Sequence, residues 1–142
     1  MKALLSFAAL SFLAVPALGA EISGDAICPR TIAVTQTAMQ TPAGFEAVKS
    51  DQPVTLAALT IFDGPPKDLA SLEPDNGDSG QSFSVWTLSA DKQRGLWVSC
   101  IYSGTTIVLQ RRLPDTTTSC RVTYDQNSHI DGYDEIKTMS CK

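Results

Sequence analysis

The feature that most constrains this chain is an N-terminal export signal followed by a short mature sequence with four cysteines. Lys2 supplies the positive charge, residues 3–15 form an apolar run, and Ala17, Gly19 and Ala20 supply the small residues of a signal peptidase site. The run is too short to span a bilayer, which takes roughly 20 residues. We therefore expect residues 1–20 to be removed, after Gly19 or Ala20, and a mature chain without a membrane anchor to reach the periplasm.

An oxidising compartment predicts that the four cysteines form disulfides, and their even count leaves no thiol over. A hairpin register that keeps the apolar sides of the last two strands together places Cys120 opposite Cys141. Cys100 and Cys120 would lie two strands apart on opposite faces, farther than the roughly 7 Å between Cα atoms that a disulfide tolerates. The expected pairs are therefore Cys28–Cys100 and Cys120–Cys141.

Length and charge narrow the class of protein. Residues 21–142, about 122 in number, suffice for one domain with its own core. Loss of Lys2 reduces the 11 basic residues to 10 against 15 acidic ones, a net charge of −5. Proteins that bind nucleic acids usually present a basic face, so this balance argues against a nucleic-acid partner.

Hydrophobic patterning predicts a β-rich α+β domain. Short connections between successive strands favour an antiparallel meander, with Ser103-Gly104 as a hairpin turn and residues 126–135 as a longer loop. One short helix is expected over residues 66–72, since Pro66 suits a first turn and Leu69 and Leu72 are spaced i, i+3. The predicted strands are residues 31–37, 45–49, 54–62, 82–88, 95–102, 105–113, 120–125 and 136–142.

Catalytic and metal-binding motifs are scarce. His129 is the single histidine, the chain has no Gly-x-Ser-x-Gly motif, and no Cys-x-x-Cys pair occurs. The polar stretch 125–135 contains His129, Asp131 and Asp134, but its order of residues does not match an EF-hand calcium loop. We expect no catalytic residue, metal or cofactor. A small hydrolase or metal-dependent enzyme that uses this stretch stays open as the alternative.

Aromatic and arginine side chains are the better candidates for a binding surface. Period-two alternation places Trp97 on the side of its strand away from the core, towards Arg112. Tryptophan and arginine are enriched at the energetic centres of protein interfaces, so Trp97 and Arg112 are the predicted binding residues. The alternative is that both Trp86 and Trp97 belong to the core. The residues expected to face the core in this region are Val98, Cys100, Ile107 and Leu109.

Several short motifs in combination carry a family resemblance over nearly the whole mature chain. They are Cys28-Pro29, the segment 61–66, the segment 97–102, the segment 111–114 and the terminal residues 140–142. In these motifs the chain resembles a family of small exported proteobacterial proteins with four cysteines. The resemblance implies a periplasmic location and paired cysteines, and it implies no activity, ligand or site residue.

These observations favour a non-enzymatic periplasmic module that binds or inhibits another exported or envelope protein. A disulfide-bonded β domain holds its surface rigidly, as inhibitors of cell-wall hydrolases and immunity proteins against toxins do, although a shared scaffold alone does not establish a function. The partner and the oligomeric state are not specified by the sequence.

Overall fold

The computed structural model describes residues 21–77, 80–89 and 93–142. The predicted signal segment, residues 1–20, lies outside the described residues, so its removal stays a prediction. Within the described part, no helix has the length and apolar character needed to cross a membrane.

The described chain forms two antiparallel sheets. The first sheet has the strand order β1-β9-β8-β5, and the second has the order β2-β3-β6-β7, with β4 also paired to β3. The strands are β1 (Ile22–Ser23), β2 (Thr31–Ala33), β3 (Pro53–Asp63), β4 (Ser71–Leu72), β5 (Phe83–Thr87), β6 (Leu96–Tyr102), β7 (Val108–Arg112), β8 (Ser119–Ile130) and β9 (Tyr133–Cys141).

Both sheets contribute to one hydrophobic core. On β6, alternate residues point inward, and Leu96, Val98 and Cys100 retain 1–2% of their surface accessible to solvent. The first sheet supplies Trp86 of β5 and buried residues of β8 and β9 to the same core. Burial of each large apolar side chain stabilises the fold by about 1.5–3 kcal/mol, which is why the strands with the cleanest alternation lie at the centre.

Both predicted disulfides are present in the structure. Cys28 and Cys100 are joined with their Cα atoms 5.7 Å apart, and Cys120 and Cys141 with theirs 4.1 Å apart. The predicted β8–β9 register is confirmed, since Cys120 lies opposite Cys141 and Val122 lies opposite Met139. One disulfide therefore attaches the N-terminal segment to the second sheet, and the other closes the open end of the β8–β9 hairpin.

The predicted single meander is wrong, because the strands alternate between two sheets. β5 pairs with β8 in the first sheet, although β4 and β6, on either side of it in the chain, belong to the second. β7 pairs with β6 and not with β8, so the predicted strands 105–113 and 120–125 do not form the hairpin that a meander requires. Packed sheets lie about 10 Å apart, a distance that the connection between β7 and β8 is long enough to cross.

The predicted helix over residues 66–72 is also wrong. Only a short 3-10 turn forms, at Pro66–Asp68, and Leu69 then takes a left-handed conformation with φ 57°. Ser71 and Leu72 turn back as β4 and pair with β3. Leu69 is 82% exposed, so the two leucines do not share an apolar helical face.

The stretch 126–135, predicted as a loop, consists mainly of β structure. β8 continues to Ile130, β9 begins at Tyr133, and Asp131 and Gly132 form the connection between them. Both connecting residues have positive φ, 50° and 84°. This backbone is that of the two-residue hairpin turn whose twist matches paired strands.

Two further expectations in the second sheet need correction. Residues 45–49 do not form a strand and are exposed. Cys100 pairs with Leu109, where a Ser103-Gly104 two-residue turn would have set it opposite Ile107. Ile107 and Leu109 are 40% and 36% exposed, so they are not core residues, because Leu109 lies on the edge strand β7 and Ile107 directly precedes it.

Candidate protein-docking face

The side of the second sheet that faces away from the core is the candidate site, and we call it the outer face. Its members alternate with the inward-facing residues of three neighbouring strands. The pairing sets them in three cross-strand rows: Phe62–Trp97–Arg112, Thr60–Ser99–Gln110 and Ala58–Ile101–Val108. The outer face thus has aromatic and arginine side chains in one row, polar ones in the middle row and aliphatic ones in the third.

The two predicted binding residues are direct neighbours on this face. Trp97 lies opposite Arg112 in the β6–β7 register. The Trp97 ring is half-buried, with its Nε1 donating to the Arg94 carbonyl at 3.3 Å. Arg112 is exposed and donates through Nη2 to Asp115 Oδ1 at 2.8 Å.

The two tryptophans divide between core and surface. Trp86 is 5% exposed and donates through Nε1 to the Leu72 carbonyl at 3.0 Å, so it is a core residue with its one polar atom satisfied. Trp97 lies on the opposite side of the second sheet from that core. The hypothesis that both are core residues therefore holds for Trp86 alone.

Two glycines let arginine side chains lie directly against the main chain at the aromatic end of the outer face. Gly95 has φ +69°, and a Cβ there would overlap the Arg112 guanidinium. A Cβ at Gly64 would lie 2.7 Å from Arg94 Nε. Arg94 also donates to the Asp63 carbonyl at 2.7 Å. These contacts hold two positive charges beside Trp97. Neither Arg94 nor Phe62 is among the binding residues predicted from the sequence, because neither stands out without the fold.

The ion pairs at this end are exposed and therefore weak. Arg112 and Asp115 have side chains 39% and 59% exposed, and the 3.7 Å pair of Arg94 with Asp68 is similarly open. Exposed pairs of this kind contribute about 0–1 kcal/mol to stability. A partner carboxylate could therefore replace either intramolecular acid at little cost, while the glycine contacts keep the arginines oriented.

The β8–β9 hairpin places the residues of the enzyme alternative in mutual contacts. His129 Nε2 lies 3.0 Å from Asp134 Oδ1, and Ser128 donates to Glu135 Oε2 at 2.6 Å. Ser128 is thus bonded to a carboxylate and not to the histidine that would have to activate it as a nucleophile. Among the residues that the structure describes, no three or more His, Cys, Asp or Glu side chains form a group able to hold a metal ion.

An open cleft of about 560 Å³ lies beside the middle of β3. Trp86, Tyr124 and Tyr133 contribute to its walls, with main chain and small side chains of β3 and β4. Tyr124 donates to Ser84 Oγ at 3.1 Å within it. The cleft and the outer face share Thr60, Ala58 and Ile101, so the two surfaces are continuous.

The sequence matches the model of one protein family, described as type VI secretion system Tli immunity protein, over residues 51–142. That segment makes up more than half of the chain. The chain belongs to the Tli immunity family. The matched segment contains β3 to β9, together with Trp97, Arg112 and three of the four cysteines. No curated protein and no solved structure matches the chain. The resemblance drawn from short motifs implied no activity, whereas the Tli immunity family is named for one.

Proposed function

We propose that this protein is a non-enzymatic periplasmic immunity protein that binds a toxic effector of the type VI secretion system and neutralises it. Membership of the Tli immunity family is the observation that carries the proposal. An immunity protein acts by occupying its toxin, which requires a preformed surface and no catalytic group of its own.

The outer face is the surface we assign to toxin binding. It combines a half-exposed tryptophan, a second aromatic ring at Phe62 and two arginines held against glycines. Interface energy concentrates in a few such tryptophan and arginine side chains, surrounded by contacts that exclude water. The surface is built on paired strands, so its side chains lose little freedom when a partner docks.

The chemistry of the cysteines supports a periplasmic location. All four are in disulfides that form and persist in oxidising environments such as the bacterial periplasm. Together with the predicted signal segment, they support a meeting of protein and toxin in the cell envelope.

The test is a binding titration with purified type VI effectors from the bacterium that carries the gene for this chain. Trp97→Ala and Arg112→Ala should each weaken binding by about 10-fold or more, since truncation of an interface centre costs over 1 kcal/mol. Arg121→Ala is the matched control, because Arg121 is an exposed strand arginine on the first sheet, over the Phe83 ring. Equal melting temperatures would show that each variant is folded.

Two outcomes would distinguish a failure of the proposed function from a wrong assignment of the toxin-binding surface. A wild-type protein that neither binds these effectors nor protects cells that express them in the periplasm would contradict the immunity function. Wild-type affinity in Trp97→Ala and Arg112→Ala, with loss in Arg121→Ala, would move the binding surface to the first sheet.

A further inference from the structure

A long exposed segment connects β2 to β3, and we call residues 37–49 the arm. Every residue from 35 to 52 is exposed. Three large apolar side chains lie within ten consecutive residues of the arm: Met39 is 100% exposed, Phe45 is 75% exposed and Val48 is 88% exposed. Single exposed apolar side chains are ordinary on protein surfaces, whereas three that are at least 75% exposed within ten consecutive residues favour an interaction site.

The foot of the arm is fastened to the body of the protein. Gln36 donates through its main-chain nitrogen to the Ser50 carbonyl at 3.3 Å and through Nε2 to the Gly104 carbonyl at 3.0 Å. Thr35 donates to Asp51 Oδ1 at 3.2 Å, and Lys49 lies 3.2 Å from the same carboxyl group. The two ends of the arm are thus held together and are attached to the β6–β7 connection.

Beyond the foot, the arm presents its apolar residues to solvent. The Phe45 main-chain nitrogen donates to the Pro42 carbonyl at 3.1 Å, which closes a turn with Gly44 at φ 86°. This turn separates Met39 from Phe45 and Val48. A burial site for these side chains has to come from another molecule, since each keeps at least three quarters of its surface in water.

The arm continues the apolar row of the outer face. Its foot contacts Gly104, which belongs to the connection between β6 and β7. The row that ends next to this connection is Ala58–Ile101–Val108, and Ile107 and Val108 beside it are 40% and 42% exposed. A partner seated on the outer face at this end would therefore meet the arm as well.

The arm also lies outside the part of the chain that matches the Tli immunity family, which begins at residue 51. Among the described residues before position 51, those that precede the arm are attached to the body by β1, by β2 and by the Cys28–Cys100 disulfide. Within that described stretch, residues 21–50, the arm is the part that projects. It is thus placed to distinguish this chain from other family members at the edge of a shared docking face.

We propose that the arm is a selectivity element that inserts Met39, Phe45 and Val48 into an apolar recess of the same toxin that the outer face binds. This inference rests on the proposed immunity function. The outer face supplies the contacts that family members share. The arm adds a hydrophobic contact that only a toxin with a matching recess can make. Rejection of other toxins follows, because an arm without a recess obstructs docking.

The test compares the wild type with the triple variant Met39→Ser, Phe45→Ser, Val48→Ser. We expect about 30-fold weaker binding to the purified type VI effectors of the same bacterium, which corresponds to loss of one interface hot spot or more, and an unchanged melting temperature. The matched control is the triple variant Gln40→Ser, Thr41→Ser, Glu46→Ser, which changes three exposed polar side chains of the same arm and should bind within about two-fold of wild type. Replacement of residues 38–48 by two glycines should reproduce the triple variant.

Three results would overturn the inference in distinguishable ways. Wild-type affinity in the triple variant, with loss in Trp97→Ala, would reject the arm and leave the immunity function intact. Absence of binding by the wild type would reject the proposed function together with the inference. A change from dimer to monomer in sedimentation of the triple variant, without a change in toxin affinity, would assign the arm to a second copy of this chain.

Discussion

At the scale of single residues, Tyr102 shows how the N-terminal segment is secured to the second sheet. Its ring is 2% exposed, and its hydroxyl donates to the Pro29 carbonyl at 2.9 Å, next to the Cys28–Cys100 disulfide. Burial raises the pKa of Tyr102 above its ordinary value of 10.0, and the negative charge of Asp25 raises it further. Folding therefore favours the neutral phenol.

Replacement Tyr102→Phe should lower the free energy of unfolding by about 1 kcal/mol at neutral pH, because the Pro29 carbonyl loses its donor. A pKa that is raised in the folded state contributes stability below the unfolded value of 10.0, and that stability is lost as the pH rises above it. The difference in unfolding free energy between wild type and Tyr102→Phe should therefore shrink as the pH is raised above 10.0 in urea titrations. Tyr133→Phe, at an exposed site, is the control, and a difference that stays constant over this range would contradict the assignment.

At the scale of elements, the pairing of β8 with β9 explains why the polar stretch 125–135 resembles a catalytic or metal-binding site. Its side chains contact one another across the two strands, as in the pairs His129–Asp134 and Ser128–Glu135. Cross-strand pairs of opposite charge or hydrogen-bonding groups stabilise hairpins by roughly 0.2–1 kcal/mol each. The accumulation of polar residues is thus accounted for by strand pairing, and the Asp131-Gly132 turn completes it.

The double variant His129→Ala, Asp131→Asn tests the enzyme alternative. Asparagine keeps the left-handed conformation of position 131, where φ is 50°, and removes the carboxylate. We expect protection of toxin-expressing cells to be unchanged and the unfolding free energy to fall by less than about 1 kcal/mol, because the His129–Asp134 pair is exposed at the histidine. Loss of protection with an unchanged melting temperature would restore a chemical role for the hairpin.

At the scale of the whole molecule, the N-terminal segment joins the two sheets. Arg30, just before β2, donates to the Ile136 and Lys137 carbonyls of β9 at 2.9 and 2.7 Å. β1 pairs with the end of β9, while β2 pairs with the start of β3. The Cys28–Cys100 disulfide attaches the segment between β1 and β2 to β6. It therefore adds a covalent bond to the contacts by which the N-terminal segment joins the two sheets.

The two disulfides should therefore differ in their effect on stability. Cys28 and Cys100 are 72 residues apart and Cys120 and Cys141 are 21 apart. Loop-closure entropy assigns about 4.4 kcal/mol to the longer loop and about 3.3 kcal/mol to the shorter one. Paired alanine variants measured by urea unfolding should show a loss about 1 kcal/mol greater for Cys28→Ala, Cys100→Ala. An equal or smaller loss would mean that the remaining N-terminal contacts hold the segment without its disulfide.

The sequence alone determined the features that depend on neighbours along the chain. Alternation located the central strands β3, β5 and β6, the local register of the last hairpin predicted Cys120–Cys141, and the same alternation set Trp97 towards Arg112. Even the Asp131-Gly132 turn carried a recognisable hairpin signal between Ile130 and Tyr133. Export of the mature chain stays a prediction from residues 1–20.

Only the tertiary structure decided which strands share a sheet and which apolar residues are buried. Ser71 and Leu72 form β4 because they pair with the edge of β3, and this pairing leaves Leu69 exposed to solvent. Leu109 has the same apolar character as Val98, yet it lies on the edge strand β7, Ile107 directly precedes that strand, and Met39, Phe45 and Val48 project on the arm. Periodicity is a local property of the chain, whereas burial depends on packing between segments that are distant in sequence, and this is the physical reason that the docking face and the arm emerged only from the fold.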